Sequence, residues 1–88
     1  MFKMNLILKK AYYSTGYFNI GVELVKKYIE KKAGTCKFKI NGISFEKKYS
    51  TANGEGQIRV YGNQELYNFF QDNFKMNMMI EIEFLKFD

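Results

Sequence analysis

The stretch from residue 35 to residue 45 constrains the fold of this chain more than any other. It reads TCKFKINGISF, in which apolar and polar residues alternate on both sides of Asn41-Gly42. An Asn-Gly pair between alternating segments predicts a two-residue type I′ turn, because both of its residues must adopt positive φ. The sequence therefore predicts a β-hairpin at this point. Its buried side would carry Cys36, Phe38 and Ile40.

Three further segments alternate in the same way and are predicted to be strands. Residues 2–8 read FKMNLIL, residues 57–61 read QIRVY and residues 78–87 read MMIEIEFLKF. Period-two alternation buries one side of a strand and leaves the other side in water. A shorter strand is predicted over residues 17–20, which read YFNI and are aromatic or β-branched apart from one asparagine.

Two segments change to the helical period. In residues 22–32 the apolar side chains fall on one helical face, and Ala33-Gly34 is predicted to end this helix. A second helix is predicted to begin at Asn63 as its N-cap. Its apolar stripe would be Leu66, Phe69, Phe70 and Phe74. Because each helix is about ten residues long and too short to persist alone in water, we expect both to cap a curved sheet or the open ends of a barrel. The order of elements predicts an α+β domain with a mostly antiparallel sheet.

Length and composition favour one domain spanning residues 1–88. Two domains would each be too small to close a core, while 47% apolar residues suffice for one. The single cysteine, Cys36, excludes an internal disulfide and suits a reducing compartment. No apolar run approaches the roughly 18–20 residues of a membrane span, so we expect a cytoplasmic protein that does not contact membranes.

Charge is distributed unevenly along the sequence. Residues 1–50 hold eleven lysines and three acidic residues, whereas residues 51–88 hold three basic and six acidic residues. We expect this distribution to give one basic face that binds a polyanion and a neutral or acidic back. The alternative is a basic protein whose lysines are scattered by the fold.

Catalytic chemistry finds little support in the sequence. The chain has no histidine, which excludes His-dependent triads, dyads and metal-ligand clusters. Cys36 without a histidine partner is predicted to be a buried core thiol. Glu46-Lys47-Lys48 supplies part of a nuclease pattern, but no aspartate precedes it. We therefore expect no enzymatic activity, no cofactor and no metal.

Two polar stretches repeat nearly the same letters. Residues 9–16 (the first loop) read KKAYYSTG, and residues 47–54 read KKYSTANG within a second loop spanning residues 47–56. Lysines neutralise phosphates, and hydroxyls and amides bond to phosphate oxygens or base edges. The plain alternative is that these residue types are common in any exposed loop.

The candidate binding residues follow from these two loops and the strand after them. Phosphates would be anchored by Lys9, Lys10, Lys47 and Lys48. The loops would be positioned, or bases touched, by Tyr13, Ser14, Thr15, Ser50, Thr51 and Asn53. Arg59 can read guanine with two hydrogen bonds if it does not pair with Glu55, and Asn53 and Gln57 can pair with adenine. Stacking of Tyr12, Tyr13 and Tyr17 on bases would instead suit a single strand.

The order of these elements resembles the DNA-binding pseudobarrel family. This fold is shared by plant B-three-type transcription factor domains and recognition domains of some type II restriction endonucleases. The matching stretches are YFNIGVELVKKYI (17–29), CKFKINGISFEKKY (36–49) and QIRVYGNQELYNFFQDNFKMNMMIEIEF (57–84). The resemblance implies an open, mostly antiparallel barrel of the seven-strand type with two short capping helices. It also implies two arms that grip the major groove of double-stranded DNA, here at residues 9–17 and about 47–59.

We therefore expect a monomeric, sequence-specific binder of double-stranded DNA. A chain that starts at Met1 and has no trailing linker favours a standalone protein. The alternative is the recognition domain of a restriction endonuclease whose nuclease part, or partner protein, lies outside this chain. A rival expectation is a small protein-interaction module, such as a phage-encoded inhibitor, that uses the same basic face.

Overall fold

Six strands and three helices make up the part of the chain that the structure, a computed structural model, describes: residues 1–51 and 56–88. The strands are β1 (Phe2–Ile7), β2 (Tyr17–Gly21), β3 (Ala33–Ile40), β4 (Ile43–Ser50), β5 (Gln57–Tyr61) and β6 (Met79–Phe87). The helices are α1 (Lys10–Tyr13), α2 (Val22–Val25) and α3 (Asn63–Asn73). The α+β class predicted from the sequence is confirmed. Among the described residues there are six strands, as the sequence pattern predicted, and three helices instead of the predicted two; the resemblance had implied a seven-strand type.

All six strands belong to one sheet in the order β1-β6-β3-β4-β5-β2, and every neighbouring pair is antiparallel. Strands β1 and β2 form its two edges, although α1 joins them directly along the chain. The sheet curls into a half-barrel around a core of buried aromatic and aliphatic side chains.

The predicted hairpin is confirmed at the level of backbone angles. Asn41 and Gly42 have φ values of 52° and 76°, as a type I′ turn requires. Ile40 and Ile43 pair on either side of the turn. The side chains of Cys36, Phe38 and Ile40 are fully or almost fully buried. Local turn chemistry therefore sets the register of β3 against β4.

Phe38 lies at the centre of the core and accounts for the curl. Its ring centroid is 5.6 Å from that of Phe45 on β4 and 5.5 Å from that of Phe84 on β6, the two strands beside β3. It also meets Phe18 edge-on at 5.9 Å. Phe18 belongs to β2, which β4 and β5 separate from β3 in the sheet. A flat sheet could not bring these two rings together, so the contact requires that β2 curl over the core.

Helix α3 and the segment around α2 cover the core from outside the sheet. Leu66 and Phe70 of α3 are fully buried, and Phe69 packs edge-on against Phe45 with centroids 5.0 Å apart. Beyond α2, Tyr28 stacks on Phe2 with ring centroids 5.4 Å apart. The predicted apolar stripe of α3 is therefore confirmed as a core-facing surface.

The first predicted helix is wrong in length. Helix α2 ends at Val25, and Ala33-Gly34 begins β3 instead of ending a helix. Gly34 pairs with Tyr49 in the register of β3 and β4. A Cβ at Gly34 would overlap the backbone oxygen of Asp88, so glycine is required here for close chain approach. Cross-strand pairing thus overrides the predicted helix end at residues 33–34, while residues 26–32 form turns and irregular structure.

Two local expectations at other positions are also corrected. Asn63 makes no side-chain capping hydrogen bond; it has a φ of 57°, and Gly62 precedes α3 as its N-cap. Residues 47–50 of the predicted second loop lie in β4, and residues 10–13 of the first loop form α1. Among the described residues, no helix is long and apolar enough to cross a membrane.

Replacement of Phe38 by alanine is expected to lower the free energy of unfolding by about 3–5 kcal/mol, because it leaves a cavity where three aromatic contacts converge. Urea denaturation followed by circular dichroism measures this loss. Phe38→Leu keeps part of the contact and extends the comparison if the alanine variant does not fold. The control Leu85→Ala, at a side chain 38% exposed, is expected to change stability by less than about 1 kcal/mol. Equal losses in the Phe38→Ala and Leu85→Ala variants would contradict the central role of Phe38.

Candidate functional site

The side of the sheet that faces away from the core carries the most distinctive cluster of polar side chains at β2, β4 and β5. Phe18, Ile58 and Val60 point into the core, so the residues between and beside them point outward. We define the outer face by the outward residues of these three strands: Tyr17, Asn19, Lys48, Ser50, Arg59 and Tyr61. Alternation alone therefore brings together side chains that are up to 44 positions apart in the sequence.

Arg59 and Asn19 form the centre of the outer face. They are direct cross-strand partners on β5 and β2, and Arg59 Nε donates a hydrogen bond of 3.1 Å to Asn19 Oδ1. Both residues are half-buried. The guanidinium is thus held at one nitrogen while it remains partly accessible to solvent.

The first loop folds back on itself beside this pair. Ser14 Oγ donates to the carbonyl of Lys10 at 2.5 Å, and Thr15 Oγ1 donates to the carbonyl of Ala11 at 2.6 Å. Thr15 Oγ1 in turn accepts a hydrogen bond from the backbone N–H of Tyr17. The hydroxyl protons of Ser14 and Thr15 are therefore used to hold the loop's shape.

Two glycines let the first loop dock on the beginning of α3. Gly16 has a φ of +78°, and a Cβ there would lie 2.6 Å from the backbone nitrogen of Tyr67. A Cβ on Gly62 would overlap the carbonyl oxygen of Gly16. Tyr13 fixes the other end of the loop, because its hydroxyl donates to the carbonyl of Phe74 at 3.2 Å. The predicted site residue Tyr13 thus serves as an anchor of the loop in this structure.

A groove of about 260 Å³, the Arg59 groove, runs between the first loop and β2. It is lined by Lys9, Ala11, Tyr12, Thr15, Tyr17, Asn19 and Arg59. Lys9 Nζ lies 4.7 Å from the centroid of the Tyr12 ring, a cation–π distance that keeps the ammonium close to the groove. Lys10 is exposed on α1 and is not one of the lining residues.

A second, wider groove of about 620 Å³, the Lys48 groove, crosses the neighbouring strands. Its lining includes Thr35, Lys48, Ser50, Tyr61 and Asn63. The rings of Tyr17 and Tyr61 meet edge-on at 5.3 Å and separate the two grooves. Lys48 pairs with Tyr61 while Arg59 pairs with Ser50, so Lys48 and Arg59 are diagonal neighbours about 7–8 Å apart at the backbone.

The second loop contributes less to the outer face than the sequence suggested. Lys47 points to the other side of β4, where its side chain is only 12% exposed and forms an ion pair of 2.6 Å with Glu65. Thr51 is tied to the carbonyl of Lys32 through both its backbone N–H and its hydroxyl. Gln57 is exposed at the beginning of β5, opposite Gly21. Asn53 and Glu55 lie outside the described residues.

The first loop lies at one end of the β2–β5 ribbon, next to the pair of Tyr17 and Tyr61, and Lys48 lies at the same end because it pairs with Tyr61. Gly21 and Gln57 pair at the other end. Arg59 and Asn19 lie midway between the two ends. The structure therefore brings Lys9, Thr15, Lys48, Ser50 and Arg59 to one face, and it leaves Lys47 and the hydroxyls of Tyr13 and Thr51 in structural contacts elsewhere.

Asn19 and Tyr61 of the outer face were absent from every predicted set, and Tyr17 had been named only for stacking on a single strand. Asn19 is the one polar residue inside YFNI, and its outward position follows from alternation. Its contact with Arg59 depends on the pairing of β2 with β5, which spans 40 residues and which no local pattern reveals. Cross-strand register is thus the signal that would have found both residues.

The uneven distribution of charge along the sequence does not give the folded protein one basic side and one acidic side. Strands from the two halves of the chain alternate in the sheet, so that acidic β6 lies between β1 and β3. Glu83 has both Lys3 and Lys39 as cross-strand partners, and Lys37 lies 3.5 Å from Glu46. Within residues 1–51 and 56–88, by contrast, no ion pair involves Lys9, Lys48 or Arg59. The outer face, together with Lys9 beside it, therefore carries a local group of cations that no described acidic group compensates.

Cys36 is fully buried, as predicted, and burial raises its pKa to about 12. Its thiol is therefore neutral at physiological pH and enclosed by the core. Within the described ranges, no group of three or more potential ligands among His, Cys, Asp and Glu could hold a metal ion.

Replacement of Gly16 by alanine is expected to lower the free energy of unfolding by about 1–3 kcal/mol or more. The positive φ of this residue and its close approach to Tyr67 both disfavour a side chain. Gly21→Ala is the matched control, since a Cβ there meets nothing within 4 Å. Chemical denaturation of both variants measures the difference. Equal stability of the two variants would contradict the docking of the first loop on α3.

The thiol of Cys36 is expected to resist alkylation in the native protein at pH 8 and to react readily after unfolding. Because its folded pKa lies above its unfolded pKa, its contribution to stability is present below about pH 8.5 and is lost as pH rises towards 12. Reaction with a chromogenic disulfide reagent, with and without denaturant, measures accessibility. Rapid native labelling would contradict burial of this side chain.

Comparison of the chain with protein-family models finds no match. Comparisons with curated proteins and with solved structures find no match either. The function is therefore inferred from the side chains and charges of the outer face.

Proposed function

We propose that this protein binds double-stranded DNA in a sequence-specific manner through the outer face, as a binding domain without catalytic activity of its own. The observation that carries the proposal is the group of Lys9, Lys48 and Arg59. These three cations lie on one face beside two grooves, and no described acidic side chain pairs with them. A surface of this kind attracts a polyanion and releases its counterions on contact.

The dimensions of the β2–β5 ribbon support duplex DNA as the polyanion. Each strand has five residues, which corresponds to about 13 Å between its ends at roughly 3.3 Å per residue. The major groove is about 12 Å wide and admits a two-stranded β-ribbon. The first loop at one end of this ribbon, which carries Lys9, is suitably placed to meet a sugar-phosphate backbone.

The composition of the outer face supports recognition of sequence as well as charge. Arg59 and Ser50 supply guanidinium and hydroxyl groups of the kinds that hydrogen-bond to base edges. The resemblance of the sequence to the DNA-binding pseudobarrel family is a further argument for this assignment. Under the proposal, any nuclease activity coupled to the domain belongs to a different segment or partner.

Replacement of both Lys9 and Lys48 by alanine is expected to weaken binding to all duplex sequences alike. If each lysine neutralises one phosphate, the slope of log K against log salt becomes shallower by roughly two units. Fluorescence anisotropy with a labelled duplex over a series of salt concentrations measures the slope. The double variant Lys3→Ala, Lys26→Ala removes the same charge away from the outer face, and we expect a much smaller change in slope.

Three outcomes would contradict the proposal in different ways. Absence of duplex binding at low salt would exclude DNA and favour the protein-interaction module. Stronger competition by single-stranded than by double-stranded DNA would favour stacking on Tyr12 and Tyr17. Equal effects of the two double variants would show that binding depends on net charge and not on the outer face.

A further inference from the structure

The hydrogen bond between Asn19 and Arg59 leaves a specific part of the guanidinium group available. A guanidinium has one Nε–H and two terminal amino groups arranged as a planar fork. Arg59 Nε donates to Asn19 Oδ1 at 3.1 Å, which uses the single inner donor. The two terminal groups, Nη1 and Nη2, form no ion pair with a carboxylate of residues 1–51 or 56–88.

The contact also restricts the orientation of the arginine side chain. A free arginine side chain has rotamer entropy that a ligand must remove on binding. A half-buried arginine held at Nε by its cross-strand partner has lost part of this freedom before any ligand arrives. Asn19 is itself half-buried on β2, a strand paired along its length with β5. The pair is thus a preorganised donor fork on a regular element of structure.

We propose that Asn19 is a positioning residue that orients Arg59 so that its two terminal amino groups bind O6 and N7 of a guanine in the major groove. This inference rests on the proposed binding of duplex DNA and specifies what the outer face reads. Guanine presents two adjacent acceptors in the major groove, which match two parallel N–H donors. Asn19 acts through Arg59 and contacts no base itself.

The position of Arg59 favours a base edge over a phosphate as its ligand. Arg59 lies at the middle residue of β5, with two residues on either side. Lys9 lies beside it towards the first loop, and Lys48 lies diagonally across on β4. If this part of the sheet faces the major groove, Arg59 at the middle of β5 faces the bases, and Lys9 and Lys48, both towards the Tyr17–Tyr61 end, face the backbone.

Selection of binding sites from random duplex DNA tests the inference with four proteins. We expect the wild-type chain to enrich a site with at least one guanine whose replacement weakens binding between about fivefold and 150-fold. Arg59→Lys is expected to retain the salt slope but to lose that preference, because lysine keeps the charge without the fork. Asn19→Ala is expected to weaken the same preference. Asn5→Ala, an exposed asparagine on the other edge strand, is the matched control and is expected to leave the preference unchanged.

A second measurement separates positioning from general stability. Replacement of the selected guanine by 7-deazaguanine removes N7 and is expected to weaken binding of the wild type but not of Arg59→Lys. Asn19→Ala is expected to add no further loss of guanine preference in the Arg59→Lys background, since it acts through the fork. A purely structural role of Asn19 would instead lower affinity for all sequences in both backgrounds.

The outcomes distinguish this inference from the proposed function. Enrichment of a site whose guanine preference is the same in the wild type and Arg59→Lys would overturn the reading by Arg59, while sequence-specific DNA binding would stand. A preference lost in Arg59→Lys but intact in Asn19→Ala would overturn only the role of Asn19. Duplex binding without any enrichment would overturn both the inference and the sequence specificity, and absence of duplex binding would overturn DNA binding as well.

Discussion

The contact between Phe18 and Phe38 is the constraint on which the rest of the structure depends. It joins an edge strand to a strand three positions away in the sheet, and it can form only if the sheet curls. Curling gives the antiparallel sheet an enclosed side, which the aromatic residues fill, and an open side exposed to solvent. The hydrophobic effect thus determines the outer face indirectly, because every side chain buried with Phe38 forces its sequence neighbours outward.

The outer face is basic because of strand order as much as composition. The sheet places acidic β6 between lysine-bearing β1 and β3, where Glu83 meets Lys3 and Lys39. Positive charge is compensated in that half of the sheet and remains uncompensated by described acids around Arg59. A sequence with a strongly uneven distribution of charge therefore yields a local basic surface. Such a surface is a more specific feature for recognition than a basic half of the molecule would be.

Local chemistry in the sequence predicted the hairpin, the strands and the stripe of α3, because Asn41-Gly42 and the apolar periods act over a few residues. It failed where distant strands decide the outcome. Residues 26–32 have a helical period, yet α2 ends at Val25, and the predicted helix end at Gly34 instead lies in β3, where it pairs with Tyr49. Lys47 and Lys48 read as one lysine pair, but in a strand they point to opposite sides, and only Lys48 reaches the outer face. The pairing of Asn19 with Arg59 needs the register of two strands 40 residues apart.

The place of β6 between β1 and β3 has a consequence for the folding of the chain. The first strand of the sheet has one hydrogen-bonded neighbour, and that neighbour is the last strand. The chain must close the long loop between β1 and β6, at a cost in entropy, before the pairing of these strands contributes any stability. Contacts of this kind therefore form slowly. On the ribosome, β1 must wait until residues 79–87 have emerged, while the β3–β4 hairpin can close as soon as it is made. The apolar side chains of β1 therefore lack their partner strand throughout the synthesis of residues 8–78.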